Sequence, residues 1–511
     1  MKAYLLYKDR SFSMESPLPA QQATLVADLS LETLFATMAG ADKYIYEVVR
    51  HVILKSVSDV ETIHYRQHVL QDCLAHPDLL QELYALVIDA IEKEKKNHWG
   101  IFSDYPAAIL SRSVDVMQDF VVSLKKLRDL SVRYTGQVRS EAFTSLFAML
   151  KQELSDAYFE EIQTHLRILK FPAGVMVSAR LGDGLTGVDF VLRRANPDGK
   201  NWFTRLFERK ETSFSYRLAP RDEAGAKTVS DLHAQGINLV ANALAQSAAH
   251  VLSFFKLLQT ELAFYLGCIN LQEAYTRKGQ HVCFPDPQPQ NSGIFECKDL
   301  YDACMALAKE GDMVGSDVSA DNMKAVVITG PNQGGKSTFL RAVGLSHLMM
   351  QAGMFVGARF FRASAASGVF THFKREEDTT MNSGKFDEEL ARMSGIIDQI
   401  SSGGLMLFNE SFASTNEREG SEVAMQINNA LLDHGVRIFL VTHMYELALR
   451  MEGKKGRDVL FLRAERLSDG KHTFRLVEGK PLPTSFGQDL YRKIFLPSRI
   501  PKKTHSEAVE A

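Results

Sequence analysis

Residues 330–338 read Gly-Pro-Asn-Gln-Gly-Gly-Lys-Ser-Thr, after the apolar run Ala325, Val326, Val327, Ile328, Thr329 and before a stretch of helical pattern that starts at Phe339. Strand, glycine-rich turn and helix start in that order form the context a phosphate-binding loop requires. Gly330, Gly334 and Gly335 let the backbone take positive φ and turn its N–H groups toward one point. There the N-terminus of the following helix adds favourable potential for an anion. Pro331, Asn332, Gln333 and Thr338 complete the loop. Lys336 is expected to reach the β- and γ-phosphates and Ser337 to ligate Mg²⁺. The loop therefore predicts a site for ATP with Mg²⁺.

A chain of 511 residues exceeds one hydrophobic core and predicts about three or four domains. Its net charge of -3 and pI near 6.6 exclude a globally basic nucleic-acid binder, leaving only local basic surfaces. Cys73, Cys268, Cys283, Cys297 and Cys304 show neither a Cys-x-x-Cys pair nor zinc spacing, which fits reduced thiols in a cytoplasmic protein. The N-terminus lacks the apolar core of a signal peptide, and no uninterrupted apolar run reaches membrane-spanning length, so no membrane partner is expected.

Proline and glycine placement divides the chain. Between Pro106 and Pro172 there is no proline and one glycine, Gly136, while Val114, Met117, Val121, Leu124, Leu127 and Leu130 recur at helical steps. Long helices are expected from that spacing. From Phe171 to Arg221 the texture turns to short apolar runs separated by Gly182, Gly184, Gly187 and the turn Asn196-Pro197-Asp198-Gly199, a small β-containing insertion. Helical pattern resumes from Val229 to Tyr275, and Pro285, Pro287 and Pro289 mark the next boundary.

Beyond the glycine-rich loop, Leu405, Met406, Leu407 and Phe408 lead into Asn409 and Glu410, an apolar strand with a polar end. In a parallel sheet such an end lies at the carboxyl edge, beside the phosphate loop. Glu410 is placed to orient or deprotonate an attacking water, and Asn409 to support Mg²⁺ through water. An amide carries no charge, so either Mg²⁺ affinity or turnover is expected to be lower than with Asp. Ile438, Phe439, Leu440, Val441 and Thr442 repeat the design and lead to His443, whose imidazole is a candidate partner of the γ-phosphate or the water.

These motifs, together with Ser411, Phe412, Ala413, Ser414, Thr415, Asn416, Glu417, Arg418, Glu419, Gly420 and with Met444, Tyr445, Glu446, Leu447, resemble those of the MutS ATPase family in order and separation. The Pro-Asn pair within the loop resembles MutS proteins more than other ABC-type ATPases. Phe474, Arg475, Leu476, Val477, Glu478 and Gly479, then Ser485, Phe486 and Gly487, are similar to the end of that domain. The resemblance is specific over residues 320–490 and looser upstream, where helix, insertion and returning helix resemble the family's core, clamp and lever. It implies a multidomain fold: an N-terminal segment (1–28), helical core and outgoing lever (29–170), β-containing clamp-like insertion (171–225), returning lever helix (226–284), α/β P-loop ATPase domain of ABC type (285–495) and a tail (496–511).

The resemblance further implies a homodimer through the ATPase domains, each nucleotide capped by the partner, with Asn332 in the nucleotide pocket and the Ser414 and Thr415 loop facing the neighbouring subunit. Phe386 and Glu389 match the family's signature segment, but Gly384 and Lys385 stand at its hydroxyl positions. Either Ser383 or Lys385 is left to make the contact in trans. The core begins close to Met1, leaving no room for the family's mismatch-recognition and connector domains, and no nuclease domain is expected after Gly487. Phe159-Glu160-Glu161 contains a Phe-x-Glu, read as a helix surface. The insertion is the candidate nucleic-acid contact: residues 180–221 hold nine Lys/Arg against five Asp/Glu with Trp202, Phe203, Phe207 and Tyr216 interleaved, and Arg193, Arg194, Arg205 and Lys210 are the candidate contacts. Three readings remain: an ATP-driven clamp on branched or otherwise non-mismatch DNA in repair or recombination, the same clamp on RNA, the ribosome or a protein, and a nucleotide-binding scaffold with little hydrolysis.

Overall fold

The computed structural model describes residues 1–98, 105–172, 174–185, 187–193, 217, 219, 221–375, 384–452, 458–467 and 472–481. The chain divides into two compact units. One comprises Met1–Ser13 and Gln71–Leu266, the other Met14–Leu70 and the residues from Gly267 onward. Residues 14–70, expected to fall partly in an N-terminal segment and partly in a helical core, thus pack with the C-terminal part.

The first unit is mainly helical. The proline-free stretch is broken into Pro106–Tyr134, Glu141–Glu153 and Asp156–Leu169. Serines start the second and third helices: Ser140 and Ser155 accept from the N–H groups of Phe143 and Tyr158. Each satisfies a donor that the helix start would otherwise leave unpaired. The structure corrects one expectation here. Phe159 is fully buried, with the cationic ends of Lys125 and Arg128 over its ring, while Glu160 and Glu161 are exposed. The Phe-x-Glu is half core, because its aromatic lies on the inward stripe of the helix. In the insertion, β1 (Met176–Leu181) and β2 (Gly187–Arg193) pair antiparallel. The helix Glu223–Arg277 then runs 55 residues. It contains a window long and apolar enough to cross a membrane, but 67% of that window is buried within the protein, as in a core helix.

The second unit is α/β. Strands β3 (Asp286–Gln288), β4 (Phe295–Leu300), β5 (Ser316–Ser319) and β7 (Phe360–Ser364) form a four-stranded sheet in the order β3-β7-β4-β5. The larger sheet has the order β12-β11-β6-β10-β9-β8, from β6 (Ala325–Thr329), β8 (Val369–Phe373), β9 (Leu405–Asn409), β10 (Arg437–Val441), β11 (Val459–Arg466) and β12 (His472–Glu478). All its pairings are parallel except β11 with β12.

The near-continuous apolar runs of β6, β9 and β10 suit strands covered on both faces. Register sorts them: Ala325 pairs Ile438 and Val327 pairs Leu440, while Ile438 pairs Met406 and Leu440 pairs Phe408. These six point to one face, into a core with Met425, Leu431, Leu432 and Leu447 of the helices Glu417–Asp433 and Tyr445–Glu452. Each such buried side chain stabilises the unit by roughly 1.5–3 kcal/mol. On the opposite face lies the helix Lys336–Gln351. Its Gly344 is so close to the sheet that a Cβ there would stand 2.7 Å from Leu407 Cδ1 and 2.9 Å from Leu29 Cδ2.

Candidate functional site

Parallel register aligns the carboxyl ends of three strands, since Val441 pairs with both Ile328 and Asn409. The segments leaving these strands therefore emerge at one edge. After β6 the chain enters the glycine-rich loop, with Gly330 at φ 121, Gln333 at φ 61 and Gly335 at φ 92. A Cβ on Gly334 would lie 2.6 Å from the methyl of Ala464 in β11, and one on Gly335 would lie 2.6 Å from the Phe474 carbonyl oxygen in β12. Of the three glycines expected at positive φ, Gly330 and Gly335 are there and Gly334 is not, Gln333 taking that conformation before it; Gly334 serves the close approach of the sheet edge alone. Gly335 also precedes the helix Lys336–Gln351, whose N-terminus has no side-chain cap. Its first backbone N–H groups are the donors an anion would meet.

Lys336 is buried, and its ammonium donates to the carbonyls of Gly330 at 2.7 Å and Pro331 at 3.0 Å. Burial lowers its pKa, and the charge of Glu410 opposes that shift. Ser337 Oγ donates to Asn409 Oδ1 at 2.9 Å. Pro331 is buried, Thr338 half-buried and Asn332 exposed at the loop tip.

Glu410 follows Asn409 with φ 53, and its N–H donates to the Val441 carbonyl at 2.9 Å. Its Oε2 lies 3.9 Å from His443 Nδ1. β10 ends at Val441, so His443 stands two residues past the strand, where Thr442 Oγ1 accepts from the Met444 N–H. Glu410, His443, Asn409, Ser337 and Lys336 accordingly gather at one sheet edge.

The other candidates sit elsewhere. Ser414 Oγ donates to Glu389 Oε1 at 2.9 Å and Thr415 Oγ1 to Glu419 Oε2 at 2.6 Å, so both are engaged within their own chain. Lys385 is the first residue of the helix Lys385–Ile397, whose N-cap is Gly384. Phe386 packs against the core and Glu389 is buried. Arg193 is exposed on β2 and donates to Ser178 Oγ at 2.9 Å. Ser383, Arg194, Arg205 and Lys210 lie outside the described residues.

Sequence reasoning missed a cavity of about 400 Å³ beside the loop, bounded by Gln333, Thr338 and Phe339 on one side and by Met313, Val314 and Phe474 on the others. Met313 and Val314 come just after the turn at Gly311, and Val314 is 42% exposed. The available signal was weak, an apolar pair shortly after a glycine turn.

The donor set fits magnesium nucleotide. Among the described residues no cluster of His, Cys, Asp or Glu could hold a metal alone. A hard divalent ion held by substrate phosphates needs only one or two protein oxygens and water, which Ser337 and Asn409 supply. The five cysteines are free, and Cys73, Cys268, Cys297 and Cys304 are buried.

Residues 58–278 match the family described as the MutS2 N-terminal domain, and residues 326–510 match MutS domain V. Endonuclease MutS2 of Thermus thermophilus is 29% identical over 196 residues, 38% of this chain and 26% of its own length. DNA mismatch repair protein MutS of Desulforamulus reducens is 31% identical over 239 residues, 42% of this chain and 27% of its own. Endonuclease MutS2 of Lacticaseibacillus casei is 32% identical over 212 residues, 40% of this chain and 26% of its own. The matched stretches thus span about a quarter of these relatives.

Proposed function

On the premise that this chain belongs to the MutS family, we propose that it is an ATPase that binds and hydrolyses Mg²⁺-ATP as a homodimer and uses the cycle to hold DNA. The observation that carries the reading is the convergence of Lys336, the Ser337–Asn409 pair and Glu410 with His443 at the carboxyl edge of one parallel sheet. That edge is where open α/β sheets bind ligands. The relatives named for DNA mismatch repair and for endonuclease action support DNA as the polymer held.

The loop N–H groups and the helix N-terminus bind the phosphates, and Lys336 exchanges its carbonyl partners for phosphate oxygens. Ser337 and Asn409 would hold a bound Mg²⁺, Asn409 through water, and the ion would supply positive charge beside the transferring phosphoryl group. Glu410 orients water and takes its proton, and His443 senses the γ-phosphate, a role supported by its ring nitrogen 3.9 Å from that carboxylate. The cavity beside Met313 and Val314 takes the adenosine end. Across the dimer, Lys385, Ser414 and Thr415 approach the partner's nucleotide, and the insertion bearing Arg193 contacts DNA.

Single-turnover hydrolysis by wild type, Lys336→Ala and Glu410→Ala tests the enzyme. Background rates in all three remove it. Binding to linear duplex, branched DNA and structured RNA across a salt series, with and without ATP, tests the polymer; preference for RNA transfers the same ATP-driven clamp to a ribonucleoprotein. Asn409 favours a second reading, a nucleotide-binding scaffold with little turnover, because a neutral amide replaces the usual carboxylate beside the metal.

A further inference from the structure

Two residues with side chains occupy left-handed backbone in the turn after β9: Glu410 at φ 53 and Phe412 at φ 62. Such conformations cost on the order of 1–3 kcal/mol each and persist only where surroundings fix them. Between them lies Ser411, 2% exposed; Phe412 meets Phe408 of β9 with ring centroids 6.2 Å apart, and the hydrogen bonds that fix Glu410 and Ser411 come from other strands. Glu410 is tied to β10 by its N–H. Ser411 and Phe412 are both held by His372 of β8. Its Nδ1 lies 2.8 Å from Ser411 Oγ, and the hydroxyl is shared between that nitrogen and the His372 carbonyl. The Phe412 ring stacks on the imidazole with centroids 5.1 Å apart and planes at 16°.

The opposite ring atom settles the tautomer. Nε2 lies 3.0 Å from the backbone carbonyl of Glu389, which can only accept, so Nε2 carries a proton. Burial favours the neutral ring, leaving Nδ1 as an acceptor for the Ser411 hydroxyl. Glu389 itself is 2% exposed, takes Ser414 Oγ at 2.9 Å on Oε1, and leaves Oε2 buried with no hydrogen-bond partner among the described residues. The imidazole therefore joins the helix Lys385–Ile397 to the turn that aims Glu410, and Glu389 of that helix holds the Ser414 loop.

We infer that His372 and Ser411 are positioning residues for ATP hydrolysis, fixing the Glu410 carboxylate and making its aim depend on where the helix Lys385–Ile397 sits. The inference rests on Glu410 acting on the attacking water. The hydrogen bonds and ring contacts of both residues go to β8, β9, the turn and Glu389 and not to residues 330–338, so their loss is expected to act on cleavage and spare affinity. A carboxylate misaimed by an ångström is enough to slow a reaction by about a hundredfold.

The full-length protein is assayed with a fluorescent ATP analogue for affinity and with ATP for single-turnover cleavage. Ser411→Ala, which changes little volume, is expected to cleave at least about tenfold more slowly while its affinity stays within about twofold of wild type. Ser411→Thr, which keeps the hydroxyl, is expected to recover most of the rate. His372→Gln combined with Ser411→Ala is expected to be no slower than the worse single variant, because the two act as one unit. A wild-type rate in Ser411→Ala overturns the inference, and so does a parallel loss of affinity and rate, which marks a merely structural role. A wild-type protein that neither binds nor cleaves ATP removes the ATPase reading itself, an outcome visible before any variant is compared.

Discussion

Ser337 Oγ donates to Asn409 Oδ1 across 2.9 Å, joining the first turn of the helix after the glycine-rich loop to the end of β9. Two neutral oxygens meet where a divalent ion is expected, so the protein contributes geometry there without charge. Asn409→Asp adds the charge and keeps the acceptor. The expected outcome is half-maximal hydrolysis at lower Mg²⁺, with a rate equal to or above wild type, read from single-turnover cleavage across a Mg²⁺ titration. Total loss of cleavage in that variant refutes the assignment and shows a site rebuilt around the amide.

The glycines of the loop differ from others in how little they tolerate. At Gly335, φ 92 and a Phe474 carbonyl oxygen 2.6 Å from the added methyl both oppose a side chain. Gly335→Ala is expected to cost about 1–3 kcal/mol and to weaken nucleotide binding. Gly395, inside the helix Lys385–Ile397, is the contrast, since an added methyl there would meet nothing within 4 Å. Gly395→Ala is expected to stabilise by roughly 0.5–1 kcal/mol through helix propensity. Thermal melting of the two variants decides it, and equal shifts would sink the argument.

Much of this arrangement was legible because local chemistry and fold agree in the α/β unit. Apolar runs such as Ala325 to Thr329 can be little other than buried strands, and a run ending in Asn409 and Glu410 announces its edge. The helical part was legible in kind and not in boundaries: Ser140 and Ser155 start new helices inside a stretch without proline. Phe159 was misread because helix surface and helix core differ only in which way one residue in a turn points. Met313 and Val314 were missed because a cavity is built by residues far apart in sequence, and neither carries a chemical signature. His372 was silent for the same reason; its role depends on Ser411, Phe412 and Glu389 meeting it from other segments.

The cavity beside the loop carries its own test. Val314, 42% exposed at its rim, and Met313 offer an apolar face for a base. Val314→Asp puts a charge against that face and is expected to weaken ATP binding by about tenfold, a change of about 1.4 kcal/mol. Inorganic triphosphate, which lacks the base, is expected to bind the variant and wild type alike. Equal losses for both ligands would place the base elsewhere.

Asn416 accepts from the Glu419 N–H at 2.9 Å and caps the helix Glu417–Asp433, which covers one face of β9 and β10. Asn416→Ala is expected to destabilise by about 1 kcal/mol, measured by urea unfolding. Asn416→Asp, which keeps the acceptor, is expected to restore the midpoint. A silent alanine variant would show the cap to be replaced by solvent.

Stability should also depend on pH through His347, which is 3% exposed, donates from Nδ1 to the Val343 carbonyl at 2.8 Å, and stacks on Phe295. Burial lowers its pKa to about 4, with the Val343 carbonyl opposing and the Arg437 charge adding to the shift. In the unfolded chain it titrates near 6.5. Between those values the unfolded state binds the proton and the folded state does not, so stability rises with pH across that window. It is complete above about pH 6.5, falls as pH drops toward 4, and levels off below. Between pH 7 and pH 5 this one residue should cost about 2 kcal/mol. His372, also lowered to about 4 chiefly by burial, acts in the same direction. In His347→Leu, where nothing titrates, the urea midpoint should fall less between pH 7 and pH 5 than in wild type, with His372 and His51, both lowered chiefly by burial, contributing to the remaining fall. An identical fall in both proteins would mean that His347 is already protonated in the fold, and a neutral ring buried against Phe295 would be the wrong account of it.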